Sequence, residues 1–362
     1  MSWLKNARSP PSASAICTTC FRGPPSFPYS DRTYIMKDFI PFFIKRLGAT
    51  AILLVIISMI IFGVCQLMPG DAVDIMLGGI ALQSLGETTI EELRKELGLN
   101  LPFYHQYYNW AVGVFHGDLG TSYIMKAPIA PLVVSRLKTS LLLAVPASLM
   151  MIVFGLALGI FSAVKEKTWI DQGISFVSLS MLSVPSFLTG TLFIYIFSVK
   201  LGWIPAAYNA LDIEGMNMFK MLGSYFGILL FPSLTLAFES IAYVNRQTRA
   251  SMIEELKTNY VRTAVLKGVP PRYVVLHHAL RNGLLPAITV IAFNVGQIIA
   301  GTVIIEVVFS YPGIGNLMIM AIKFRDVPLI LATMIVISSA YVLANLVADI
   351  LYTQLNPRIK YA

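Results

Sequence analysis

Cys17 and Cys20, spaced Cys-Thr-Thr-Cys, have the separation of a redox or zinc pair. No second pair or histidine cluster completes a site around them. His277 and His278 are the next candidates, but adjacent residues on a helix point about 100° apart and do not readily share one metal. Helix-surface polarity accounts for them. The serines of SLSMLSVPS (178–186) would suggest a nucleophile, but small hydroxyl residues commonly line helix contacts in lipid. Packing is the simpler reading, with Pro185 bending the helix. Glu239, Glu306 and Asp349 lie within apolar stretches, each near enough to an end to reach water or pair with a basic neighbour. A proton-coupled carrier usually needs carboxylates or histidines nearer the midplane.

The common catalytic signatures are absent. No Gly-x-x-x-x-Gly-Lys-Ser/Thr, His-Glu-x-x-His or Gly-x-Ser-x-Gly occurs. The expectation is a chain that is not an enzyme and holds no cofactor or metal.

The elements that position these residues are set by composition. Of 362 residues, 56% are hydrophobic and 13% charged, with a mean hydropathy of +0.71. One soluble core would not hide that much apolar surface, so the solvent is a bilayer. The net charge of +8 then reflects basic cytoplasmic loops, not nucleic acid. A helix needs about 20 apolar residues to cross roughly 30 Å of hydrocarbon. Six stretches qualify: Leu47–Leu67, Thr139–Ala163, Gly173–Val199, Tyr225–Val244, Ala287–Phe309 and Leu329–Leu351. The predicted fold is all-α, a polytopic membrane protein with six transmembrane helices.

With both termini cytoplasmic, 18 of the 27 basic residues fall inside. Residues 1–35, rich in Pro and Ser, read as a disordered extension or a misassigned start ahead of Met36. Residues 36–138 hold the first span and a large segment on the outer side of the membrane. In that segment Pro69-Gly70-Asp71 marks a turn, and Thr89-Ile-Glu-Glu92 caps a short charged helix ending at Gly98. That helix suits an external partner, the membrane surface or the ends of the bundle. Residues 139–351 form the core, and 352–362 a cytoplasmic tail.

One segment of the core is neither span nor turn. Residues 246–285 are basic and helix-prone between two apolar stretches. Gly268 stops one helical piece, and Pro270 and Pro271 start another. In the second piece Tyr273, Leu276, Leu280 and Leu284 fall on one stripe. Such a helix lies on headgroups or inserts into a groove on another protein.

This segment resembles the cytoplasmic loop of bacterial ATP-binding-cassette importer permeases, in the dipeptide and oligopeptide branch. The branch pattern is followed by Tyr260-Val-Arg-Thr-Ala264, Lys267-Gly268, His278-Ala-Leu-Arg-Asn282 and Leu284-Leu-Pro286. Of the family-wide Glu-Ala-Ala pattern only Ala264, Gly268 and Leu280 match, and Arg262 stands in place of the glutamate. RLGATAILLVIISMIIFGVCQLMPGD, LRKELGLNLPFYHQY, GDLGTS, VPSFLTG, LGWIPA, FSYPGIG, RDVPL and LNPRI look like the same branch, in its order, from about residue 37 onward.

The resemblance implies a type I importer permease fold in the bacterial inner membrane. The implied partners are a second homologous permease subunit, two ATP-binding cassette ATPase subunits and a periplasmic solute-binding protein. By resemblance the loop docks a coupling helix on an ATPase subunit, which assigns that contact to Tyr260, Arg262, Ala264, Lys267, Gly268, Pro270, His278, Leu280 and Arg281. The implied substrate is a di- or oligopeptide; relatives also carry nickel complexes, glutathione, opines or sugars. A secondary transporter and a membrane scaffold or receptor are the rival readings. Asn294, Gln297 and Asn345 are polar residues within spans, suited either to lining a path or to hydrogen bonding between helices.

Overall fold

The computed structural model describes residues 32–67, 91, 95, 100–203 and 218–355. Cys17, Cys20, the Pro69-Gly70-Asp71 turn, most of the 89–98 helix, the Asp349 side chain and the tail beyond Leu355 lie outside the described residues. The residues up to Leu47 and those from Gly48 onward form two separate units, and the helices that matter for function lie in the second.

In chain order the helices are α1 (Arg32–Gln66), α2 (Phe103–Phe115), α3 (Ile129–Val164), α4 (Trp169–Ser183) and α5 (Ser186–Phe193), the last continued by π-helical Ile194–Lys200. Then come α6 (Met218–Leu256), α7 (Asn259–Leu266) and α8, which runs Pro271–Tyr273, π-helical Val274–Ala279 and Leu280–Gly283. The chain closes with α9 (Leu285–Val308), α10 (Ile314–Lys323) and α11 (Val327–Leu355). Among the described residues the one β-type pairing is an isolated bridge between Thr121 and Pro128.

Four helical stretches are long and apolar enough to cross a membrane: Ile44–Gln66, Ile129–Val164, Leu285–Val308 and Val327–Ala348. Six spans are predicted. The described residues give these four, or five if the bent pair α4–α5 is one span, and the Tyr225–Val244 stretch lies inside α6. The predicted Gly173–Val199 span turns by 102° between Ser183 and Ser186. Its cause is local. Pro185 disfavours helical backbone in the residue before it, and Val184 is extended at φ −104°, ψ 118°.

Helix α3 starts ten residues before the predicted Thr139, at Ile129. Hydropathy falls at Arg136 and Lys138, but the backbone stays helical, and the Arg136 guanidinium donates to the Pro312 carbonyl at 3.0 Å. At 1.5 Å per residue α3 is about 54 Å long, well beyond a hydrocarbon core of roughly 30 Å.

The most extensive packing is between α3 and α6, and two glycines one turn apart allow it. A Cβ on Gly155 would meet Val244 Cβ at 2.7 Å, and one on Gly159 would meet Asn245 O at 2.9 Å. Small residues at i and i+4 let helix backbones approach closely in lipid, where dispersion and not hydrophobic expulsion drives association. Around this seam Leu143, Met151, Ile241, Val244, Ile298 and Phe309 build the main core. A second core joins α1, α3, α10 and α11 around Phe62, Val133, Leu317 and Leu329. Helix α2 lies against α1, with Tyr107 hydrogen-bonded to Ser58 at 2.8 Å and ring contacts from Phe62 to Phe103, Tyr107 and Trp110.

Glu306 corrects the sequence expectation. It neither reaches water nor takes a basic partner by direct hydrogen bond: it is fully buried, and helix α10 presents its N-terminus to it. The amides of Gly315 and Asn316 donate to Oε2 at 2.7 and 3.2 Å, and Ser140 Oγ donates to Oε1. Unpaired N–H groups at a helix start favour a carboxylate. Gly313 is required here, since any Cβ would run into the Glu306 carboxyl. FSYPGIG is thus the turn that seats α10 on α9. GDLGTS and RDVPL meet in a similar way: buried Asp326 accepts from Ser122 Oγ at 2.5 Å and from the Leu329 amide, capping α11.

Asn294 donates to the Val290 carbonyl of its own helix, Gln297 is exposed, and Asn345 lies against Gly296. Glu239 is half-buried.

Candidate functional site

Helix α6 does not stop where its apolar run ends at Val244 but continues to Leu256. The chain then turns at Thr258, whose hydroxyl donates to the Glu255 carbonyl at 2.7 Å, and enters α7. Lys267 ends α7, and Gly268 adopts φ +78°, the left-handed conformation that glycine takes without steric cost. The Val269 amide returns to the Ala264 carbonyl at 3.2 Å, closing the corner. Pro270 then precedes α8, and Pro271 occupies its first position, where a missing N–H costs nothing.

What folds α7 and α8 back onto α6 is a small apolar cluster and one hydroxyl. Met252, Val261, Val274 and Ala279 are buried with Ala163 from the end of α3, and Ala264, Val275 and Leu280 pack around them. Gly283 lets α8 approach α6 closely, since a Cβ there would sit 2.6 Å from Met252 Sδ. The Tyr260 hydroxyl lies between the Glu255 carboxylate and the His278 carbonyl oxygen, 3.0 Å from the latter, and accepts from Asn282 Nδ2 at 3.1 Å. Its single proton is therefore shared between two acceptors on α6 and α8. Burial, and then the bond to Glu255, push the Tyr260 hydroxyl above its ordinary pKa.

The exposed side chains of α7 and α8 are both apolar and basic. Val265, Leu266, Tyr273 and Leu276 are exposed, with Leu266 at 80%. Arg262, Lys267, Arg272 and Arg281 are exposed beside them in sequence. The predicted stripe thus divides. Tyr273 and Leu276 point outward, Leu280 and Leu284 are half-buried, and the face against α6 is built from Val274, Ala279 and Gly283. His277 stacks on Tyr273 at 4.0 Å between ring centroids, and His278 meets the same ring edge-on at 5.8 Å. Of the residues assigned to the contact by resemblance, Tyr260, Arg262, Lys267, Gly268, Pro270 and Arg281 are exposed, while Ala264, His278 and Leu280 are half-buried and hold the fold of the loop.

Two ion pairs at the base of the loop escaped the sequence reading. Arg249 on α6 grips Asp171 on α4 with both Nε and a terminal nitrogen, at 2.6 and 2.8 Å. Lys257 reaches Glu166 at 3.0 Å. Asp171 was findable: Thr168-x-x-Asp171 has the spacing of a helix-capping pair, and Thr168 Oγ1 accepts from the Asp171 amide. Its partner on α6, 78 residues away, carries no local signal.

The family profile described as "Binding-protein-dependent transport system inner membrane component" matches residues 155–361, and its N-terminal counterpart matches 39–144. The "Glutathione transport system permease protein GsiC" of Escherichia coli (strain K12) is 35% identical over 318 residues, covering 88% of this chain and 98% of the relative. The GsiC protein of Shigella flexneri serotype 5b (strain 8401) has the same identity and coverage. A solved structure titled "Crystal structure of an amino acid ABC transporter with histidines" aligns with a TM-score of 0.45 and 17% identity, over 63% of this chain and 94% of that one. The two profiles between them leave little of the membrane portion unmatched, and a relative matched over nearly its whole length agrees with them. The chain belongs to the binding-protein-dependent transport system inner-membrane components and is a multi-pass permease of an ATP-binding-cassette importer of the dipeptide/oligopeptide type.

Proposed function

We propose that this permease carries small peptides inward, driven by ATPase subunits that dock on residues 246–285. The observation that carries the reading is the outward face of α7 and α8. Four exposed apolar side chains and four exposed basic ones flank a corner held by Tyr260 and Gly268. An amphipathic helix of this kind fits a groove on a partner protein. Each of two such permeases, this chain and a homologous partner, would receive one ATPase subunit, and a periplasmic solute-binding protein would deliver substrate at the opposite face. Both termini and the loop are then cytoplasmic, residues 139–351 are the transporting core, and residues 1–35 stand outside it.

The substrate class rests on the branch and on the relatives. The GsiC proteins are named for glutathione transport, and glutathione is itself a tripeptide, so it is the specific alternative within the same class. The test is ATP-dependent uptake by vesicles containing the assembled importer, with di-, tri- and pentapeptides, glutathione and a nickel complex as competitors. Competition by peptides is the expected result. Competition by glutathione alone moves the reading to glutathione, and competition by the nickel complex alone ends the peptide reading.

A further inference from the structure

We infer that the Asp171–Arg249 pair, its carboxylate buried and its guanidinium half-buried, is the positioning element that makes α4 move with α6, so that displacement of the loop is delivered to the bent pair α4–α5. The inference rests on the proposed docking of an ATPase subunit at the loop.

Asp171 is 2% exposed and uses both oxygens fully. Oδ1 accepts from Ser162 Oγ on α3 and from Arg249 Nε, each within 2.6 Å. Oδ2 accepts from the Lys167 amide at 2.9 Å and from the Arg249 terminal nitrogen. Three helices therefore converge on one carboxylate. A bidentate guanidinium–carboxylate pair fixes orientation as well as distance, which a single hydrogen bond does not. Toward the bend, Asn245 Nδ2 donates to Ser178 Oγ at 2.5 Å, a second tie between the same two helices. Two ties at different heights remove both sliding and rotation of α4 on α6.

The consequence follows from connectivity. Arg249 stands two turns before Leu256, where α6 becomes the loop. Asp171 stands at the start of α4, which turns 102° into α5. On α5, Gly190 packs against Phe309 and Val308, where a Cβ would lie 3.2 Å from each. Those residues end α9 and lead into the turn that seats α10. A force on the loop thus has a continuous packed route to the far end of the bundle, and the ion pair is where it enters the bent helices. Removing the carboxylate leaves the half-buried Arg249 guanidinium without its bidentate partner and frees the joint.

The test uses the complete importer in vesicles, reading assembly, ATP hydrolysis and solute uptake together. Asp171→Asn is expected to assemble and hydrolyse ATP while solute moved per ATP falls by about tenfold or more. An unchanged ratio, including an equal loss of hydrolysis and uptake, overturns the inference. Should the variant fail to assemble, the pair Ser178→Cys/Asn245→Cys decides. If α4 and α6 move as one body, cross-linking leaves uptake intact, and loss of uptake that reduction restores overturns the inference. Absence of ATP-dependent uptake by the unaltered complex would instead refute the proposed function.

Discussion

The Tyr260 hydroxyl lies 3.0 Å from the His278 carbonyl oxygen, joining the first helix of the loop to the second across the Gly268 corner. Tyr260→Phe keeps the ring and removes the joint. Each hydrogen bond lost contributes about 1 kcal/mol, and Asn282 loses an acceptor while Glu255 loses a donor. The expected outcome is faster amide exchange over 259–283 and an affinity for the ATPase subunit lower by roughly fivefold, a free-energy difference of about 1 kcal/mol. Unchanged exchange would show that the apolar cluster alone holds the loop.

Gly268 has open space around it but a left-handed backbone. A side chain there costs about 1–2 kcal/mol of local strain without a clash. Gly268→Asp should therefore remain inserted and folded, yet lose ATP-driven uptake, because a negative charge enters the proposed contact between exposed Lys267 and Arg272. Uptake equal to that of the unaltered protein would remove Gly268 from the interface.

Glu306 should tolerate glutamine and not alanine. In Glu306→Gln the amide oxygen still accepts from Gly315 and Asn316, and the new NH₂ donates to Ser140, whose hydroxyl turns to the Arg136 carbonyl. Glu306→Ala leaves the Gly315 and Asn316 amides without their acceptor, while Ser140 keeps the Arg136 carbonyl, and should cost about 2 kcal/mol or more, at about 1–3 kcal/mol per unsatisfied group. Thermal unfolding in detergent separates the two variants, and equal melting temperatures would contradict the capping role.

Gly159→Ala places a methyl group against Thr248 and Asn245 across the α3–α6 seam. Overpacking of this kind costs about 1–3 kcal/mol. A lower melting temperature is expected, larger than for alanine at exposed Gly173, which has no neighbour within 4 Å. Equal effects at the two positions would mean that the seam relaxes freely.

Apolar length was legible in the sequence, and so was the bend at Pro185, because both are local properties of the chain. The ends of helices were not. Arg136 looks like a loop residue by hydropathy, yet α3 runs through it, and its guanidinium is held by the Pro312 carbonyl. Glu306 was read as an interfacial group because its acceptor role depends on amides that follow a turn whose path the sequence does not spell out. The loop shows the same division. Its corner was visible in Gly268 and the prolines, whereas the inward face was not. Val274 and Ala279, not the longer Tyr273 and Leu276, lie against α6, and Met252 sits where only Gly283 fits beneath it.

From Pro232 to Leu256, α6 contains neither a further proline nor any glycine. At 1.5 Å per residue that is an unbroken arm of about 36 Å. A pivot of about 5° at Pro232 would carry Leu256 about 3 Å sideways, roughly half the pitch of a helix. With a hinge at that proline, the amplitude available at the loop would be set by the length of this arm.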